Sequence, residues 1–200
     1  MSADLREGLK RYLPDDPREK LASCSVGIAG AGGLGSNAAL MLARSGIEKM
    51  FLADCDEVDA SNLNRQQFWP RHIGMKKVDA LREILLELNP HMRIETFDGK
   101  IDSANMADII SKEKVWIEAL DSAELKGQFA TMASAKADFV VAASGLCGIG
   151  GEPLKRKRLG NLLIVGDYRT GLDRANPFAP RVTQAAALMA DGVLEYFLNS

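Results

Sequence analysis

The sequence predicts an α/β fold, a Rossmann-like doubly wound, mostly parallel sheet with helices on both faces, closed by a small C-terminal β-hairpin and helix. Two observations carry this expectation. Between about residues 25 and 143, short apolar runs alternate with helical spacing, a pattern that implies right-handed crossovers and a parallel sheet covered on both sides. The first of those runs feeds a glycine turn, GAGGLG, that opens directly into a helical pattern. The length agrees: 200 residues, 46% of them hydrophobic, suffice for one sizeable core, so a single nucleotide-binding domain over 1–200 is expected, with an N-terminal helical arm at 1–23.

Taken in order, residues 3–13 and 15–23 read as two short helices split by Pro14, with Asp15, Asp16 and Pro17 supplying the start of the second. Ser25 to Ala29 is a strand, and Leu34, Ala38, Met41 and Leu42 give the next segment its helical spacing up to Gly46. Lys49 to Ala53 is the second strand, 54–74 a polar loop, and Lys76 to Leu88 a helix closed by Asn89 and Pro90. Strands follow at about 93–98, 115–118 and 138–143, separated by helices at about 103–112 and 122–136. After Gly145 the pattern changes to a glycine-rich loop, a hairpin of KRKRLG and NLLIVG, an irregular stretch at 166–180 and a last amphipathic helix to Asn199.

The composition excludes several classes. A net charge of −2 gives no overall basic field for nucleic acid or an anionic membrane surface. Three cysteines without a Cys-x-x-Cys pair argue against a disulfide framework and a cysteine-built zinc site. The N-terminus is too charged for a signal peptide, and no apolar run approaches the roughly 20 residues a bilayer requires. A soluble cytoplasmic protein is expected.

The chemistry begins at the glycine turn. Gly30, Gly32, Gly33 and Gly35 satisfy G-x-G-x-x-G between a strand and a helix. Without side chains there, backbone N–H groups can reach a phosphate, and the helix N-terminus adds a favourable partial positive charge. Asp54 ends the second strand 19 residues after Gly35, where a carboxylate can accept hydrogen bonds from ribose hydroxyls. This pair places a nucleotide at the carboxyl edge of the sheet without separating NAD from ATP. The connection that follows, DCDEVDASNLNRQQFWPRHIGMKKV, is polar and long. Asn62, Arg65 and Gln66 fall within one helical turn and can converge on a triphosphate. Arg65 offers a planar fork for phosphate oxygens and Lys77 a point charge, and two cations suit ATP better than NAD.

Three segments, GAGGLGSN, then D-x-D-x-V-x-x-SNLNRQ from Asp54 and Asp56 to Gln66, then G-x-x-K at Gly74 and Lys77, resemble the adenylation domain of the ThiF/MoeB/HesA family, relatives of ubiquitin-activating enzymes. The likeness covers roughly residues 18–145. It implies an ATP-dependent adenylyltransferase acting on the C-terminal carboxylate of a small sulfur carrier, ThiS-like or MoaD-like, that ends in Gly-Gly. It also implies that Asp54 holds the ribose, that Asn62, Arg65, Gln66 and Lys77 contact phosphates, with Asp56 beside them, and that Asp121 holds Mg2+. Asp121 follows the fourth strand, so it projects toward the same sheet edge as Gly32 and Asp54. A homodimer is implied as well, in which Arg6 or Arg11 from one subunit completes the partner's site. The carboxylate itself attacks the α-phosphate, so charge stabilisation is expected to outweigh acid–base chemistry.

The zinc cysteines of larger family members are missing, which favours the short, thiamine-pathway type. Cys147 is expected in a flexible loop, where sulfur transfer competes with an ordinary loop role, while Cys24 and Cys55 read as packing residues. His72 and His91 suit surface or capping roles. Lys155 to Arg158 reads as a solvated strand edge that discourages aggregation. Two competing functions remain: an NAD-dependent oxidoreductase, for which few residues after 145 are left to build a substrate domain, and a non-catalytic module that binds nucleotide or carrier.

Overall fold

The computed structural model describes residues 4–171 and 174–199. Residues 1–3 of the expected arm, 172–173 of the expected irregular stretch, and 200 lie outside them. The parallel core is built from β1 (Ser25–Ala29), β2 (Lys49–Asp54), β3 (Arg93–Asp98), β4 (Val115–Glu118) and β5 (Phe139–Ala143). A final pair, β6 (Lys155–Leu159) and β7 (Leu162–Gly166), completes a seven-stranded sheet of order β3-β2-β1-β4-β5-β7-β6. Only β6 runs antiparallel to its neighbour, so the expected hairpin forms, but β7 joins the main sheet parallel to β5 instead of standing apart.

The helices are α1 (Leu5–Lys10), α2 (Asp15–Ser23), α3 (Gly33–Arg44), α4 (Lys77–Leu88), α5 (Met106–Ile110), α6 (Ala123–Lys136) and α7 (Ala179–Asn199). Strand alternation sends Val26 and Ile28 into the core shared with α3, α4 and α7, while Ala29, Phe51 and Trp116 face the second core formed with α5 and α6. Gly27 is the concession to Trp116, since a Cβ there would lie 2.6 Å from the indole ring. The last helix packs its apolar stripe, including Ala185, Ala186, Met189 and Phe197, into the first core. Among the described residues no helix is long and apolar enough to cross a membrane.

The arm is tied to its own chain. Arg6 reaches Glu48, just before β2, through two nitrogens at 2.5 Å, and His91 lies 3.0 Å from Asp4. Glu48 is buried, so cutting the guanidinium away strands a carboxylate; with Arg6 itself partly solvated, Arg6→Ala is expected to lower stability by about 1 kcal/mol in urea denaturation. This contact lies at the amino end of β2, away from the carboxyl edge that bears Asp54. Arg11 is held less firmly, its guanidinium lying 5.6 Å from the centre of the exposed Tyr12 ring.

The basic strand β6 forms the sheet edge and is exposed throughout, as a solvated edge requires. Arg156 pairs with Asp191 and Glu195 of α7, and Arg158 stacks over Phe139.

Candidate nucleotide site

In this strand order the direction of winding reverses between β1 and β4, and the two chains leaving their carboxyl ends part to open a crevice of about 1070 Å³. Gly30, Gly32 and Gly33 of the turn, Asp54 and Asp56 after β2, Asn62, Arg65 and Gln66 of the polar loop, Lys77 of α4 and Asp121 after β4 all line it. Gly35, expected among the nucleotide-binding glycines, is a correction: it does not line the crevice. It lies beneath the turn, where a Cβ would sit 1.8 Å from the Gly30 carbonyl oxygen, so its part is to let helix and turn approach. Gly30 has φ +98, and a Cβ would meet the Ala119 carbonyl oxygen at 2.4 Å, so glycine is required where the turn presses against the exit of β4.

Asp54 accepts from the Ala31 N–H at 2.6 Å and the Asp56 N–H at 2.8 Å, which aims the carboxylate across the turn. Burial pushes its pKa up, against the pull of those two N–H groups. Lys77, in the first turn of α4, is almost fully buried and donates to Asp56 at 2.6 Å. That hydrogen bond draws the Asp56 carboxyl below the usual carboxylate range. Lys77 is therefore a fixed charge at the crevice wall, already oriented by Asp56.

The SNLNRQ segment is a short 3-10 turn at Ala60–Asn62 continued by an Arg65 N–H and a Gln66 N–H that both donate to the Asn62 carbonyl. Asn62 turns its own Oδ1 back to the Asp59 N–H, so only its amide nitrogen stays free to donate toward the crevice. Gln66 is buried with Oε1 unpartnered, a polar atom left for whatever fills the space. The arginine stem lies against Gly33, and among the described residues its guanidinium hydrogen-bonds only to the Ser61 carbonyl and Asn64 Oδ1.

Three side chains that hold this geometry escaped the sequence reading. Asn37 donates to the carbonyls of Gly33 and Arg65 and accepts from Gln67 Nε2, which pins the polar loop to the helix that begins at the glycine turn. Its place in GAGGLGSN was visible, its role was not. Glu118 ends β4 buried to 1% exposure, paired with Lys126 of α6 at 2.9 Å. Burial pushes its pKa up, with Lys126 opposing.

The crevice was read with a magnesium ion at Asp121. An exposed carboxylate on the lining of this crevice is the hard oxygen donor such an ion takes when phosphates and waters fill its other positions, so the residue fits. Asp54, Cys55 and Asp56 also bring ligand-type atoms within 4.8 Å of one another, but both carboxylates there are already engaged by N–H groups or by Lys77. Two cysteine expectations change. Cys147 is buried in the wall shared with a smaller cavity of about 280 Å³, because its loop folds back onto Thr170, and Cys55 is exposed at the crevice instead of packed. His72 is buried, and its Nδ1 accepts from the Trp69 N–H, the capping role without the surface position.

The chain matches the ThiF family over residues 6–157. It is 36% identical to a molybdopterin-synthase adenylyltransferase of Haemophilus influenzae over 124 residues, 62% of this chain and 51% of that protein. It is 45% identical to a ubiquitin-like modifier-activating enzyme 5 of Arabidopsis thaliana over 93 residues, 46% of this chain and 22% of that one. The chain thus spans about half or less of the length of these relatives. The same fold is found in E. coli tRNA N6-threonylcarbamoyladenosine dehydratase, TcdA, in complex with AMP, at TM-score 0.86 and 21% identity over 96% of this chain and 93% of that one. With a match that takes in the glycine turn, the SNLNRQ loop and Asp121 together, the chain belongs to the ThiF family.

Proposed function

We propose that this protein is an ATP-dependent adenylyltransferase that activates the C-terminal carboxylate of a ubiquitin-like carrier, with a ThiS-like sulfur carrier as the first candidate and a MoaD-like one as the second. The observation that carries the proposal is the convergence of the glycine turn, Asp54, Arg65, the Asp56–Lys77 pair and Asp121 on the lining of one crevice. The naming of relatives as adenylyltransferases supports it. An NAD-dependent oxidoreductase would use the glycine turn and Asp54 but gives no task to Arg65, Gln66 or Lys77.

In this reading Asp54 accepts the ribose hydroxyls, and the turn's N–H groups, Arg65 and Lys77 bind the phosphates. A carrier carboxylate oxygen forms a bond to the α-phosphorus as the bond to pyrophosphate breaks, giving an acyl-adenylate. The chain need not supply a nucleophile. It has to bring two anions together and stabilise the charge that develops on the phosphates, and donors fixed before the reaction do this without reorganising. A magnesium ion held at Asp121 would supply further positive charge to the phosphates.

A homodimer is part of the proposal. Because Arg6 pairs with Glu48 of its own chain, Arg11 is the arm's better candidate to serve a second copy.

A second reading follows from the fold match to the tRNA-modifying dehydratase, which extends over 93% of that protein. A threonylcarbamoyl group also bears a carboxylate, so the same chemistry would then act on a modified tRNA nucleoside. The test is ATP–pyrophosphate exchange with magnesium and a panel of ThiS-like and MoaD-like carriers ending in Gly-Gly, with threonylcarbamoylated tRNA as a separate arm. Exchange that depends on one carrier establishes the proposal and names the pathway. Activity with the tRNA alone transfers it to the second reading, and silence throughout with ATP still bound leaves a non-catalytic module.

A further inference from the structure

We propose that the pair formed by the buried Glu118 and the half-buried Lys126 is a positioning device for the loop that carries Asp121, acting on the geometry of the magnesium–ATP complex; this rests on the adenylyltransferase reading. Both charges converge on the backbone of one residue, Leu120. Glu118 Oε1 accepts the Leu120 N–H at 2.8 Å, and Lys126 Nζ donates to the Leu120 carbonyl at 3.0 Å and to Glu118 Oε1 at 3.0 Å. One residue earlier, the Ala119 N–H donates to the Ala29 carbonyl at 2.8 Å, and the Ala119 carbonyl faces Gly30 so closely that no Cβ fits between them. At the other end, the Lys126 N–H donates to the Ser122 carbonyl, where α6 begins. The two residues between β4 and Asp121 are therefore fixed from both sides, and Asp121 is presented to the crevice from an anchored peptide.

Stability is a poor reason for such a pair. Glu118 is buried while Lys126 keeps 22% of its side chain exposed, and the cost of desolvating the carboxylate offsets much of the attraction between them, so the pair adds little net stability. What the pair adds is direction. Lys126 is the only link from the helix back to the Leu120 carbonyl among the described residues, and its charge is held in place by Glu118. Groups that orient a metal-binding carboxylate from behind typically change metal affinity by 10–100-fold when they are removed.

The test is calorimetric titration of ATP into the full chain, with magnesium and with EDTA, together with thermal denaturation. In the wild type, magnesium is expected to tighten ATP binding. In Lys126→Met that gain is expected to fall by about 10-fold, affinity in EDTA to stay within about twofold, and Lys126→Arg to restore the gain. Because Lys126→Met leaves a buried carboxylate alone, the double variant Glu118→Gln/Lys126→Met, neutral at both positions, provides the same reading if the single variant does not fold. Equal weakening with and without magnesium would make the pair an ordinary part of the fold, and an unchanged magnesium gain would make it idle; either result overturns the inference. A wild type that binds no ATP at all fails at the adenylyltransferase reading itself and takes the inference with it.

Discussion

Arg65→Ala is expected to reduce carrier-dependent ATP–pyrophosphate exchange by about 10²–10³-fold while the unfolding midpoint stays near that of the wild type. The separation of the two effects follows from how the residue is held. Its backbone carbonyl is fixed by Asn37 Nδ2 at 2.9 Å, and the Gln66 N–H, one residue on, by the Asn62 carbonyl at 3.0 Å, so the loop keeps its path without the side chain. The guanidinium itself makes only local contacts, to the Ser61 carbonyl and Asn64 Oδ1, which are partly solvated and contribute little to stability. What is lost is a preorganised cation beside the glycine turn. Asp121→Ala is expected to behave in the same way, since its side chain is exposed. Normal exchange by either variant would remove that residue from the site.

Gly35→Ala produces the second large effect, and of the opposite kind. A methyl group at this position would lie 1.8 Å from the Gly30 carbonyl oxygen and 3.1 Å from Ile28 Cγ2, backbone and core atoms that have nowhere to move. Overpacking of this severity is expected to cost upward of about 3 kcal/mol in urea denaturation and to abolish ATP binding, since the turn and helix can no longer approach. Gly32→Ala provides the contrast. Its Cβ would meet nothing nearer than Gln66 Nε2 at 3.8 Å, so the fold should tolerate it while the methyl occupies the space through which phosphate reaches the backbone. Retained stability with lost ATP affinity in Gly32→Ala, and loss of both in Gly35→Ala, would divide the motif into a ligand-facing and a packing glycine. If Gly32→Ala binds ATP as tightly as the wild type, the phosphates lie elsewhere.

Most of the sheet was legible because each core strand announces itself locally. FVVAA at β5 is buried at every position, and the apolar run VWI at β4 likewise, so continuous apolar runs bounded by polar residues marked both without knowledge of their neighbours. The crevice lining from Asp54 to Lys77 was legible for another reason: its residues lie close in sequence, and a loop rich in side chains of the kinds that can bind phosphate, beside a glycine turn, stands out in the sequence. Contacts between elements far apart in sequence left no such mark. Nothing in the local pattern around Arg6 points to Glu48, 42 residues on, and the burial of Cys147 depends on the carbonyl of Thr170 in a later loop. Glu118 and Lys126 are eight residues apart, a spacing with no meaning on a strand or a helix alone; they meet only because a chain reversal separates them. Hydrophobic period reveals which face is buried, but not which polar side chain will fold back over its end.

The order of the strands also bears on when the protein can first do anything. β1 and β4 lie side by side at the centre of the sheet, yet Gly27 and Trp116 are paired across 89 positions of chain, the difference 116 − 27. Joining them closes a long loop, and the entropy of that closure is lost before their contacts return any stability. The β1–β2 unit with its glycine turn needs only neighbouring sequence and can assemble early. The wall formed by Ala119 and the anchored Asp121 exists only after the distant strand has docked. During synthesis, then, the chain carries the β1–β2 unit and its glycine turn through a further 67 residues, the difference 121 − 54, before the opposite wall of the crevice exists.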